Sequence, residues 1–186
     1  MKAYKRKYPL FSLCGLNCGL CPRYQTDGAS KCPGCGGSDF HLKHPTCAVI
    51  SCNLKHDRVE HCYQCSQYPC ERYSRPNQAD SFITYRNVAS DFAKAKKAGL
   101  GRYQSELDQK VKILEFLIAD YNDGRRKSFY CLAVNLLSLP DLRGIMRGIE
   151  GKIQDFGGDR KTMIKTMIGL IESSAKNRNI ELKLRT

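Results

Sequence analysis

The apolar positions of residues 76–186 recur at helical spacing. Between residues 102 and 121 they follow one another at intervals of three and four, which is typical of a helix with one buried face. The stripe comprises Tyr103, Leu107, Val111, Leu114, Ile118 and Tyr121. Asn122-Asp123-Gly124 follows as a turn. The pattern therefore predicts a long amphipathic helix that ends near residue 121.

A shorter helix is predicted before it, over residues 83–98. Val88, Phe92 and Ala95 share one face of this segment. The glycines of residues 99–101 interrupt the pattern and are expected to end the helix.

Three further helices are predicted in the second half of the chain. Residues 127–137 are apolar on nearly all sides, so this helix is expected to be buried, with Cys131 as a small buried hydrophobe rather than a ligand. Pro140 suits the first turn of the next helix, and Asp159 can cap the last one. The inward positions of the last helix are Met163, Ile164, Met167, Ile168 and Ile171.

The polar and apolar residues of the tail, 180–184, alternate instead, which favours a short strand. Residues 1–75 show little apolar periodicity and are rich in cysteine, proline and glycine. We therefore expect a mainly α protein with two regions. Residues 1–75 form a cysteine-rich, metal-stapled module, and residues 76–186 form a helical bundle packed on it, ending in that strand.

The cysteines are concentrated in the first region, where ten of the eleven lie between Cys14 and Cys70. The chain has no apolar run of membrane-spanning length and no signal-peptide pattern, so we expect a cytoplasmic protein without a membrane partner. In a reducing compartment this density indicates metal binding, and a disulfide framework is the alternative. A segment with so few core residues needs such staples to fold.

Six of the ten clustered cysteines form three CxxC pairs. Structural zinc takes four ligands, usually from two pairs. The first predicted site is Cys18, Cys21, Cys32 and Cys35. The second predicted site is Cys47, Cys52, Cys62 and Cys65. The spacing thus predicts about two zinc ions per chain.

Two cysteines, Cys14 and Cys70, remain outside these sites. They are possible additional metal ligands, and at least one is expected to bind metal. Cys70, or a histidine, could instead replace one member of the second site. Four histidines of the same region are weaker candidates, because the cysteines already compete for the available positions. They are His41, His44, His56 and His61.

The segments CGLNCGLCPRY (14–24), CPGC (32–35) and CYQCSQYPCERY (62–73) resemble an uncharacterised family of small cysteine-rich prokaryotic proteins, described only as a domain of unknown function. The resemblance covers residues 11–75 and includes ten cysteines in order. Residues 121–139 are also similar to its longer members. The resemblance implies metal binding, with zinc presumed, and it implies no substrate or reaction.

The function predicted from the sequence is therefore that of a structural zinc module that binds a protein or a nucleic acid. A non-enzymatic role is favoured, and no small-molecule substrate is identifiable, because no catalytic constellation is visible. The alternative is an iron–sulfur or redox protein that uses Cys14, Cys18 and Cys21.

The net charge of +13 is spread along the chain, which weakens the case for nucleic acid. The basic runs that could contact phosphate are Lys2, Lys5, Arg6 and Lys7 with Tyr4 and Tyr8, and Arg125-Arg126-Lys127.

Overall fold

A computed structural model describes residues 4–44, 46–56, 58–74, 79–151 and 159–186. The protein is mainly helical, as expected: the described residues contain seven α-helices and are 55% helical, and no strand occurs among them. The helices are α1 Phe40–Lys43, α2 Ala48–Lys55, α3 Val88–Ala98, α4 Leu100–Tyr121, α5 Lys127–Leu136, α6 Leu139–Glu150 and α7 Arg160–Asn177. None of these helices is long and apolar enough to cross a membrane.

The five helices α3–α7 confirm the predicted periodicity. In α5, Tyr130, Cys131, Ala133 and Val134 are buried, as its apolar character predicts. Pro140 lies in the first turn of α6, after the Ser138 cap.

The last helix, α7, also begins as predicted. The Asp159 carboxylate accepts a hydrogen bond from the Lys161 amide, which satisfies one of the free N–H groups of the first turn. Ile164, Met167 and Ile171 are buried along the predicted face.

Helix α3 begins later than the sequence predicts, at Val88 rather than at residue 83. The Asp80 carboxylate accepts a hydrogen bond from the Tyr85 amide, which holds the preceding segment as a loop. Ile83 is buried within this loop. Ile83 therefore contributes to the core from a loop rather than from the predicted helix.

The predicted C-terminal strand is wrong. Asn179 adopts a left-handed conformation after α7, and the Ile180 amide bonds back to the Ala175 carbonyl. Further on, the backbone of Arg185 exchanges hydrogen bonds with Asp80, and its guanidinium pairs with the buried Asp80 carboxylate at 3.1 Å. The tail thus makes its hydrogen bonds with the end of α7 and with Asp80 rather than with a neighbouring strand.

The chain forms two compact units, residues 1–107 with 184–186, and residues 108–183. The first unit contains the whole predicted cysteine-rich module, α3 and the first residues of α4. The predicted boundary at residue 75, between a cysteine-rich module and a helical region packed on it, stays a prediction.

The first unit has two apolar clusters of interest. One lies beneath the cysteines and is small: Leu13, Cys35, Phe40 and Ile50 are its buried members. The other surrounds Phe92 of α3, which is 1% exposed. The rings packed against Phe92 are those of Phe11, Tyr63, Tyr68 and Tyr73, with centroids 5.1–5.9 Å away.

Candidate metal centre

Two of the CxxC pairs fold as the same short turn. Cys18–Leu20 and Cys62–Gln64 are 3₁₀ turns, and in each the fourth residue donates its amide to the first carbonyl. Side chains at i and i+3 lie above one another in a 3₁₀ turn. This geometry directs Cys18 and Cys21 to one side, and likewise Cys62 and Cys65.

The third pair, Cys32 and Cys35, lies in a glycine-dependent loop. Gly34 has a φ of +80°, and a Cβ there would lie 2.6 Å from the Pro9 carbonyl oxygen. The same oxygen accepts a hydrogen bond from the Cys35 amide at 2.9 Å. Only glycine permits this turn and this close approach together.

Buried Arg6 clamps these loops to the amino-terminal segment. Its guanidinium donates to the Phe11 carbonyl at 2.9 Å and to the Cys35 carbonyl at 3.4 Å, and it forms a 3.2 Å ion pair with Glu60. Its side chain is 2% exposed, so this residue of the basic run does not face a phosphate backbone. Lys2 of the same run lies outside the described residues.

A cavity of about 1410 Å³ opens within the first unit beside these loops. Eight of the ten clustered cysteines line it: Cys14, Cys18, Cys21, Cys32, Cys35, Cys47, Cys52 and Cys70. All four cysteines of the first predicted site are among them. The sequence could indicate the CxxC pairs, but it could not show that they line one cavity.

The thiols of the first predicted site are near neighbours. Cys18 interacts electrostatically with Cys35 and Cys21, and Cys21 with Cys32. The Cys35 amide also interacts with the Cys18 sulfur, which ties the two CxxC loops together.

Burial controls the ionisation of these thiols. Desolvation raises the pKa of Cys18, and it raises the pKa of Cys35 to about 11 despite the neighbouring Arg6. Without a further cation the thiol form is therefore favoured, and a bound divalent metal would supply the missing positive charge.

The eleven cysteines all lie within the described residues, and none forms a disulfide. Across the described part of the chain, no three His, Cys, Asp or Glu side chains are arranged so that they could hold a metal ion as they stand. The donor set nevertheless fits zinc in kind, because zinc prefers thiolate sulfur. Ligation would require the thiols to turn toward a common point.

A second, smaller cavity of about 40 Å³ lies in the same unit. Cys52, Cys62, Cys65 and Cys70 line it, together with His56. Three of these cysteines belong to the second predicted site. Cys47 is the member of that site that is absent from the lining.

The four histidines are placed differently from one another. His61 is fully buried, and its Nδ1 lies 3.1 Å from the Ser12 carbonyl and 3.2 Å from the Arg6 guanidinium. Burial, with Arg6 beside it, lowers the pKa of His61 to about 4. His44 lines the large cavity and stacks on Phe40, and His41 is half-buried on α1.

A buried network holds the first cysteine turn against helices α3 and α4. Tyr103 donates its hydroxyl to the Asn17 Oδ1 at 2.9 Å, and the Asn17 amide donates to the Asp91 carboxylate at 2.9 Å. Asn17 immediately precedes Cys18. Nothing in the local sequence around Asn17 indicated this role, since its partners lie more than 70 residues away.

Replacing Tyr103 by Phe should destabilise the first unit by about 1–2 kcal/mol, because the buried hydrogen bond from the Tyr103 hydroxyl to the Asn17 Oδ1 is lost. If the predicted first site holds zinc, the variant should also lose it faster to a competing chelator, since Asn17 positions the Cys18 turn. The matched control is Tyr130→Phe, which removes a buried hydroxyl bond to the Tyr121 carbonyl in the other unit. Equal chelator kinetics in both variants would contradict the positioning role.

Comparison with curated proteins and with solved structures found no match. A family model described as a protein of unknown function (DUF3795) matches residues 10–75. This stretch contains all ten clustered cysteines, which include the three CxxC pairs and every cysteine that lines the two cavities. Residues 10–75 of the chain are therefore similar to the DUF3795 family, whose function is unknown.

Proposed function

We propose that this chain is a cytoplasmic zinc-binding protein whose amino-terminal module holds about two zinc ions through cysteine thiolates. Cys18, Cys21, Cys32 and Cys35 form the first site. The second site draws on the remaining clustered cysteines. The observation that carries the proposal is the convergence of eight unbridged cysteines on one cavity within the first unit.

The charges around the large cavity support an anionic metal–thiolate centre. Its lining includes five cationic side chains and, among the described residues, one acidic side chain, Glu71. The cationic residues are Arg23, Lys43, Arg72, Arg86 and Arg185. A zinc ion with four thiolates carries a charge of −2, so neighbouring cations stabilise it. This accounts for part of the basic excess without invoking phosphate.

The role of the zinc is structural in this proposal. A four-thiolate site is coordinatively closed, so it stabilises the fold rather than performing chemistry. The folded module then presents a surface to a protein or nucleic acid. Two side chains available for such contacts are Leu42, 74% exposed, and Phe82, 61% exposed and stacked with Arg23 at 5.0 Å.

Protein purified without oxygen is expected to be colourless and to contain about two zinc ions per chain. Metal content by mass spectrometry and the visible absorption spectrum, measured on one sample, test this directly. A brown protein with stoichiometric iron would instead establish the iron–sulfur alternative with Cys14, Cys18 and Cys21, since thiolates hold both metals. A colourless protein with neither metal would refute metal binding.

A further inference from the structure

Helix α2 turns one face toward the small cavity. Val49, Cys52, Asn53 and His56 line that cavity, and their spacing of three, four and seven places them on one side of a helix. Cys52 is thus directed to the same space as the Cys62–Gln64 turn.

Cys47 stands at a different position relative to this helix. It is the residue before α2 and has an extended backbone, with φ −114° and ψ 116°. Five residues correspond to a rotation of about 140° from Cys52 and a rise of about 7.5 Å. The two side chains thus leave the backbone in different directions. A shared metal for Cys47 and Cys52 is therefore disfavoured.

Cys70, unlike Cys47, lines the small cavity. It is the cap of the 3₁₀ turn Glu71–Tyr73, and its carbonyl accepts the Tyr73 amide at 2.8 Å. The thiols of Cys14, Cys70 and Cys65 all interact electrostatically with Cys62, but of these three only Cys70 and Cys65 line the small cavity with it. Three segments of the chain thus direct four cysteines to a space of about 40 Å³, which holds about one water-sized group.

We infer that the second metal site is formed by Cys52, Cys62, Cys65 and Cys70, with Cys47 outside it. This inference rests on the proposed zinc function and refines its second ligand set. Cys47 lines the large cavity but not the small one, whereas Cys52 and Cys70 line both, and its thiol interacts electrostatically with that of Cys14. Those two thiols are left outside both four-cysteine sites.

The test compares Cys47→Ser and Cys70→Ser in the full chain, purified without oxygen, with Cys131→Ser as a control in the other unit. Zinc per chain is measured by mass spectrometry, and the ligand-field spectrum is recorded after cobalt substitution. Cys70→Ser should lose one of two zinc ions, whereas Cys47→Ser and Cys131→Ser should keep both. Circular dichroism shows whether each variant retains its helices.

A further variant, Cys70→His, separates ligation from folding, because histidine nitrogen is also a zinc ligand. It should restore the second metal, with a cobalt spectrum shifted from four-sulfur to three-sulfur, one-nitrogen coordination. Loss of a zinc ion from Cys47→Ser, or full zinc in Cys70→Ser, would overturn the inference while leaving the proposed function intact. A wild-type protein that binds neither zinc nor cobalt would refute both.

Discussion

Stripping zinc with a chelator is expected to unfold residues 14–70 while the helices of residues 108–183 persist. Among the described residues, the buried members of the cluster beneath the cysteines are Leu13, Cys35, Phe40 and Ile50, a small core for a segment that carries ten cysteines. Zinc–thiolate binding supplies about 10–16 kcal/mol of apparent folding free energy in small domains. This is the largest effect expected for the protein.

Limited proteolysis and far-ultraviolet circular dichroism measure that outcome together. Cleavage should appear within residues 14–70, whereas most of the helical signal should remain. A parallel sample with chelator already saturated by zinc controls for effects of the chelator itself. Unchanged protease resistance of residues 14–70 after complete metal removal would show that metal does not hold this module.

Replacing Phe92 by Ala is expected to destabilise the first unit by about 3–5 kcal/mol. The side chain is 1% exposed and contacts four aromatic rings. It also packs against the cysteine loop, since a Cβ added at Gly15 would lie 2.7 Å from the Phe92 ring. The deletion therefore leaves a cavity where α3 supports that loop.

The matched control is Phe82→Ala, which removes the same ring from a position that is 61% exposed. It should cost less than about 1 kcal/mol, as surface substitutions usually do. Urea unfolding of the zinc-loaded proteins, followed by tyrosine fluorescence, compares the two variants. A loss below about 1 kcal/mol for Phe92→Ala would mean that α3 contributes little to the first unit.

The helices of residues 88–177 were largely predictable, because helical periodicity, caps and turn residues act within a few positions of the chain. Asp159 and Pro140 show this directly, since each lies where local chemistry assigns it. Helix α2 was not anticipated. Its eight residues form little more than two turns, which is too short for a clear periodic signal.

The candidate site was predictable as a set of residues but not as an arrangement. The sequence determined by itself that ten thiols lie within 57 positions and that three CxxC pairs can each form a tight turn. Such turns depend on residues three positions apart, and their backbone bonds are local.

Tertiary structure decided which residues meet across the chain. It buried Arg6 between the Cys35 loop and Glu60, although Arg6 belongs to an exposed-looking basic run. It also placed Cys70, rather than Cys47, beside the Cys62 turn, and it held the tail through Asp80 instead of in a sheet. These outcomes depend on contacts between residues tens of positions apart, whose free energies come from burial and charge pairing in the folded chain, and no local pattern encodes them.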